Sequence, residues 1–257
     1  MQEIKKYDPG MFCWIDLVTI DTEAAKKFYC SLFGWEALDT PVGDGMVYTM
    51  LQLNGKPVAA LYQMGEFQKQ QNLEPYWMSY VSVQNADETM KKVQELGGQV
   101  VMEPGDAMDA GRMAMLKDPT GAFLAIWQPK AHIGASYRNV PGTFCWIELA
   151  TNDPEKAKPF FTKLFNWTEE TRQMGNTVYT TFKLDGKDVG GMYKMPPEMA
   201  AIPPHWLPYF QVNDCQASVK KVQSLGGKLL VPVTVVPGVG PFSVIEDPQA
   251  GVFGVVS

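Results

Sequence analysis

The sequence predicts an α+β chain of two tandem domains, each made of two βαβββ units that form a curved, mostly antiparallel sheet with helices on its outer face. Three observations predict it. The first is a long internal repeat. Phe12-Cys13-Trp14-Ile15-Asp16-Leu17 returns 132 residues later as Phe144-Cys145-Trp146-Ile147-Glu148-Leu149, and Asp118-Pro119 returns 129 residues later as Asp247-Pro248. Such a period is the size of a domain, well above the roughly 20 to 50 residues of solenoid repeats. The second is alternation of apolar and polar residues in short runs, the mark of half-buried strands. The third is a set of capped helical stretches between those runs. Two similar domains usually pack about a pseudo-twofold axis.

Residues 12–18 alternate and read as the first strand. Asp21 suits an N-cap, Phe28, Leu32 and Phe33 share one helical face, and Gly34 ends the helix. Strands follow at Trp35–Leu38, Met46–Leu53 and Val58–Gln63, with Asn54-Gly55 as the hairpin turn between the last two and Asp44-Gly45 as loop. The pattern then restarts. Met78–Val83 reads as a strand, Asp87–Leu96 as a helix stopped by Gly97-Gly98, and Gln99–Met102, Arg112–Leu116 and Ala122–Trp127 as strands. Asp118-Pro119-Thr120-Gly121 has the residues of a type I turn. The first domain is placed at 10–128, a linker with Pro129, Gly134 and Pro141 at 129–141, and the second domain at 142–257.

Composition narrows the function. The chain of 257 residues is 46% apolar and 19% charged, ordinary for a globular protein. A net charge of −6 argues against a nucleic-acid partner, which needs clustered Lys and Arg. No apolar run reaches membrane-spanning length, and residues 1–9 lack a signal-peptide core, so a cytoplasmic location without membrane contact is expected. Cys13, Cys30, Cys145 and Cys215 show no CxxC spacing; Cys13 and Cys145 read as small buried hydrophobes on matching strands.

Read in order, Asp21-Thr22-Glu23-Ala24-Ala25-Lys26-Lys27-Phe28-Tyr29, Leu32-Phe33-Gly34-Trp35, Val93-Gln94-Glu95-Leu96-Gly97-Gly98 and Asp118-Pro119-Thr120-Gly121 resemble the vicinal oxygen chelate superfamily, which holds glyoxalase I, bleomycin and fosfomycin resistance proteins and extradiol dioxygenases. The resemblance covers nearly the whole chain. It implies a sheet trough in each domain, with a metal held by His, Glu or Gln on trough-facing strands. The positions it implies fall on Trp14 and Trp146 of the first strands, Met78 and Leu207 of the fifth, Ala125 and Gly254 of the last, and the runs Val58–Gln63 and Val189–Lys194, which contain neither His nor Glu. Indole, Ala, Leu and Gly offer no metal ligand, and the chain has only His132 and His205. No metal and no cofactor are therefore expected.

Strand parity puts Ile15 and Leu17 toward the helices and Phe12, Trp14 and Asp16 in the trough. The candidate ligand-binding residues are Trp14, Asp16, Tyr80 and Trp127 in the first domain and Trp146, Glu148, His205 and Tyr209 in the second. Asp16 and Glu148 are equivalent carboxylates within apolar strands, able to anchor an amine or hydroxyl. The two tryptophans suit a flat or cationic body, and Tyr80 and Tyr209 lie on the face of the carboxylates. Three functions fit: binding of a small, partly apolar molecule in the trough; a metal-independent lyase or isomerase with a trough carboxylate as base, no residue being assigned as catalytic; or an interaction protein whose troughs are filled by its own aromatics. The expected assembly is a monomer with a pseudo-twofold domain pair, or a homodimer.

Overall fold

A computed structural model of the chain describes residues 1–43, 45–175 and 177–257, the side chain of Phe67 excepted; Asp44 of the expected Asp44-Gly45 loop lies outside them. Among the described residues the strands form two eight-stranded sheets. The first holds β1 (Phe12–Thr19), β2 (Glu36–Gly43), β3 (Met46–Leu53), β4 (Lys56–Gln63), β5 (Tyr76–Ser82), β6 (Gln99–Ala107), β7 (Gly111–Lys117) and β8 (Phe123–Pro129), in the spatial order β2-β3-β4-β1-β5-β8-β7-β6. The second repeats that order with β9 (Phe144–Thr151), β10 (Thr168–Met174), β11 (Thr177–Leu184), β12 (Lys187–Lys194), β13 (His205–Gln211), β14 (Lys228–Val236), β15 (Gly240–Glu246) and β16 (Val252–Val256). In each domain the first strands of the two units pair antiparallel at the centre, and each runs parallel to the last strand of its own unit. Each domain is thus two βαβββ units.

Local chemistry sets the helices. Helix α1 (Thr22–Phe33) starts where the Asp21 carboxylate accepts the Ala24 N–H at 3.0 Å, and stops at Gly34, whose φ of 73° is left-handed. Its counterpart α4 (Pro154–Phe165) is capped by Asp153 and ends on Asn166 at φ 56°, the non-glycine type best suited to that conformation. Between them in sequence lie a short α2 (Glu66–Gln70) and α3 (Ala86–Glu95); α5 (Cys215–Ser224) follows Asp214. The cap of α3 is Asn85, so this helix opens one residue before the expected Asp87. Asn54 and Gly55, at φ 53° and 70°, make the hairpin turn, and Gly121 N–H closes the Asp118 turn at 2.9 Å.

The helix-bearing faces of the two sheets pack against each other, and the contacts are reciprocal. Trp35 Nε1 donates to the Gly142 carbonyl at 2.7 Å, and Trp167 Nε1, its counterpart, donates to Gly10 at 2.9 Å. Lys92 Nζ reaches the Leu164 carbonyl and Lys221 Nζ the Leu32 carbonyl, both at 3.3 Å. Exchange of equivalent donors and acceptors is what a pseudo-twofold axis requires. A cluster of buried aromatics, with Tyr29 and Trp77 against Phe210 and Phe253 and the part-buried Phe33 beside them, fills the seam. Phe12 belongs here and not in the trough. A bulge between Phe12 and Trp14 reverses the parity, and Phe12 packs on Trp167 and Trp206 of the other domain.

Candidate functional site

With the helix faces buried together, each trough opens away from the other domain. The two sets of candidate residues therefore form two separate sites: Trp14, Asp16, Tyr80 and Trp127 in the first trough, and Trp146, Glu148, Tyr209 and His205 in the second.

In the first trough Asp16 is 1% exposed. Tyr80 and Tyr48 both donate to its Oδ2, at 2.9 and 3.0 Å, and Trp14 Nε1 donates to the Tyr48 oxygen at 2.9 Å. The indole, two phenols and carboxylate are thus one chain of hydrogen bonds. Oδ1 is buried and unpartnered. Burial pushes the Asp16 carboxyl up to about 7, with the bonds from Tyr80 and Tyr48 offsetting part of the rise. Tyr62 stacks beside Tyr48, and Met78 covers the far side of Asp16 in register with it.

The second trough sets the equivalent residues around Glu148, joined as two pairs. Tyr209 donates to its Oε1 at 3.1 Å, and Trp146 Nε1 donates to Tyr179 at 2.8 Å. Burial raises the Glu148 carboxyl, with Tyr179 and Tyr209 offsetting it. Small residues replace larger ones around the floor. Gly191 pairs with Glu148 where Ala60 pairs with Asp16, and Gly254 pairs with Tyr209 where Ala125 pairs with Tyr80. A Cβ at Gly191 would run into the Tyr179 hydroxyl and ring, and one at Gly254 into the Tyr209 ring. The phenols have therefore settled onto the glycine backbone. His205 lies on the same face one row further out, opposite Ala150, and its Nδ1 donates to the Pro203 carbonyl at 2.9 Å. It is held by its own loop, away from the carboxylate.

The troughs differ in access. Trp14, Asp16, Met78, Tyr80 and Trp127 are buried, whereas Trp146 and Glu148 are part-exposed. Two rings close the first trough: Trp127, whose counterpart in the second is Val256, and His132, which the linker folds over it. The His132 ring meets Trp14 edge-on at 4.5 Å and Trp127 at 5.9 Å, and Trp127 Nε1 donates to its carbonyl at 2.8 Å. Burial pulls the imidazole down to about 4, so it is neutral at physiological pH. The linker is strapped in place. Ala135 N–H bonds the Cys13 carbonyl at 2.8 Å, and Tyr7 of the N-terminal segment bonds the Ala135 carbonyl at 2.8 Å. Gly134, at φ 118°, touches Cys13 so closely that a Cβ would strike its carbonyl.

The metal positions implied by the family do not fit a metal. They present an indole that donates to a tyrosine, Met or Leu, Ala or Gly on the last strand, and, where the fourth-strand runs Val58–Gln63 and Val189–Lys194 pass the carboxylate, Ala60 or Gly191. None of these carries an N, O or thiolate ligand. Among the described residues no group of three or more His, Cys, Asp and Glu comes together as a metal cradle. Nor, among them, is any helix long and apolar enough to cross a membrane.

Sequence reasoning missed Tyr48, Tyr179, Tyr62, Tyr193 and His132. The tyrosines were signalled by the repeat itself: Val47-Tyr48-Thr49 returns as Val178-Tyr179-Thr180, and Tyr62 as Tyr193. Nothing in the sequence signalled His132, whose place depends on the path of the linker.

Tandem βαβββ pairs around outward troughs define a class, and comparison with known proteins places the chain in it. The profile of the Glyoxalase/Bleomycin resistance protein/Dioxygenase superfamily matches residues 12–126 and again 143–253. The chain belongs to that superfamily. It is 40% identical to the Mycobacterium tuberculosis protein named "Putative glyoxylase CFP32" over 258 aligned residues, covering 100% of this chain and 98% of that one. It is 31% identical to the anthracycline biosynthesis protein DnrV of Streptomyces peucetius, covering 87% and 85%. Among solved structures it shares the fold of a Mn(II)-bound glyoxalase from Novosphingobium aromaticivorans, with a TM-score of 0.68 at 15% identity over 97% of this chain and 82% of that one. It also shares the fold of the 2,2',3-trihydroxybiphenyl 1,2-dioxygenase of Sphingomonas wittichii, with a TM-score of 0.67 at 11% identity, covering 97% and 90%.

Proposed function

We propose that this glyoxalase-like protein binds a small, partly apolar molecule in the trough of its second domain, without a metal. The observation that carries the reading is the difference between the troughs. Both hold an equivalent carboxylate, tyrosines and tryptophan, and the second leaves Trp146 and Glu148 within reach of solvent. Aromatic walls favour a flat ring system, and a carboxylate already holding one phenol accepts a further hydroxyl or amine. Relatives named for anthracycline biosynthesis are in keeping with a flat ligand. The first domain acts as scaffold, its trough filled by its own aromatics and His132.

A second reading has one observation in its favour. Burial raises the carboxyls of both Asp16 and Glu148, the direction that makes a general base useful near neutral pH. Glu148 is the accessible one and would be the base of a lyase or isomerase. A thermal-shift screen with metals, aldehydes, thiol conjugates and flat aromatic compounds tests the main reading. Stabilisation by an aromatic compound in the presence of chelator, lost in Glu148→Gln and kept in Asp16→Asn, supports it. Stabilisation only on addition of a divalent metal, or equal loss in both variants, refutes it. Turnover of a bound compound that Glu148→Gln abolishes without loss of binding moves the reading to the enzyme.

A further inference from the structure

The first trough contains its own occupant, the His132 ring. His132 is a small planar nitrogen heterocycle set edge-on against Trp14 at 4.5 Å with an interplanar angle of 85°. It is carried there by a linker tied to β1, β4 and the N-terminal segment. The tethered ring does not reach the carboxylate: His132 Nε2 and Asp16 Oδ1 are both buried, and neither has a partner. A ring nitrogen on one and a carboxylate oxygen on the other are left unjoined in the same trough.

In the second trough the equivalent indole, Trp146, is part-exposed, and Val256 stands where Trp127 closes the first trough. The floor carboxylate is faced by Trp146, Tyr179, Tyr193 and Tyr209; its partners are phenols, and the described salt bridges include none to it. A carboxylate among ring faces is a receptor for an N–H that carries positive charge. The carboxylate takes the hydrogen bond, and the ring faces attract the cation.

From these two observations we infer that the second trough binds a planar, basic nitrogen heterocycle, lying against Trp146 as His132 lies against Trp14, with its ring N–H on Glu148. An untethered ring completes the hydrogen bond that the linker denies to His132. The inference rests on the proposed binding function and adds the chemical class of the ligand.

Benzimidazole and indole test it. They are planar bicycles of nearly the same size, and only the first has a basic ring nitrogen. Isothermal titration of the whole protein should show one benzimidazole site per chain, with indole at least about tenfold weaker, the difference a charge-assisted hydrogen bond makes. Glu148→Gln should remove that preference, and Trp146→Ala should weaken both ligands. His132→Ala combined with Trp127→Val, which gives the first trough the open end of the second, should raise the benzimidazole stoichiometry from one to two. Equal binding of the two probes overturns the heterocycle assignment and leaves a flat-ligand trough standing. Binding of neither overturns the assignment and the trough reading together. A preference for benzimidazole that survives Glu148→Gln puts the site elsewhere and also overturns it. A folded His132→Ala/Trp127→Val protein that still takes one equivalent refutes the part assigned to His132; should that variant fail to fold, the Glu148 and Trp146 arms decide alone.

Discussion

Replacing Phe161 with Tyr is expected to stabilise the protein, although it adds a polar group to a residue with 0% exposure. The reason lies in the broken symmetry of the seam. In one half Tyr29 donates to Asp247 Oδ2 at 2.7 Å and accepts from Trp77 Nε1 at 3.1 Å. In the other half Phe161 stands in place of Tyr29. Its ring meets Trp206 at 5.1 Å and 82°, as Tyr29 meets Trp77 at 5.2 Å and 90°. With no hydroxyl there, Trp206 Nε1 and Asp118 Oδ2 are left buried and unpartnered. Each such group costs about 1–3 kcal/mol. One phenol oxygen serves both, and the desolvation of that oxygen takes back part of the gain, so a net stabilisation of about 1–3 kcal/mol is expected. The melting temperature should rise by roughly 2 to 12 °C, at about 2–4 °C per kcal/mol for a chain of this size. The reverse change, Tyr29→Phe, should destabilise by a similar amount. Urea unfolding followed by tryptophan fluorescence, with calorimetry alongside, reads both. A Phe161→Tyr protein less stable than the parent, or a neutral Tyr29→Phe, would refute the idea that one hydroxyl bridges each half of the seam.

Three further outcomes follow from the same geometry. Asp16 titrates near 7 when folded and near its ordinary 3.8 when unfolded, so between those values the folded state holds more protons and stability falls as pH rises through that window, by on the order of a few kcal/mol. Asp16→Asn should flatten that dependence, and unfolding curves between pH 4 and about 8 that keep the parent's slope would contradict it. Gly254→Ala should displace the Tyr209 ring, lower stability by about 1–3 kcal/mol and abolish any ligand binding in the second trough, as read by thermal shift with and without ligand. Trp35→Phe and Trp167→Phe each remove one of the reciprocal bonds across the seam and should cost similar amounts, about 2–4 kcal/mol in chemical unfolding; a large cost for one and none for the other would deny the pseudo-twofold exchange.

Much of the fold is legible in the sequence because duplication writes it twice. Asp21 and Asp153 as caps, Gly34 and Asn166 as stops, and the Asp-Pro turn are local signals, and local chemistry decides each. The carboxylates and tryptophans of the troughs are legible by strand parity, which holds from Trp14 to Leu17. Parity fails at Phe12 because a bulge adds one residue, and no residue type there announces it. The share of the trough asymmetry that His132 brings was not legible for another reason. His132 reaches Trp14 through a linker held by Cys13, Pro57 and Tyr7, contacts between segments far apart in sequence. A histidine in a linker reads as surface until those contacts are known.

Elemental analysis tests most directly the claim that these troughs have exchanged the family's metal for a hydrogen-bonded carboxylate. Protein purified without chelator, then dialysed against manganese(II) and desalted, should retain far less than one metal ion per chain, since Trp14, Met78, Ala60 and Ala125 and their counterparts Trp146, Leu207, Gly191 and Gly254 offer nothing to hold one. One ion per chain or more, lost in Asp16→Asn or Glu148→Gln, would contradict the claim.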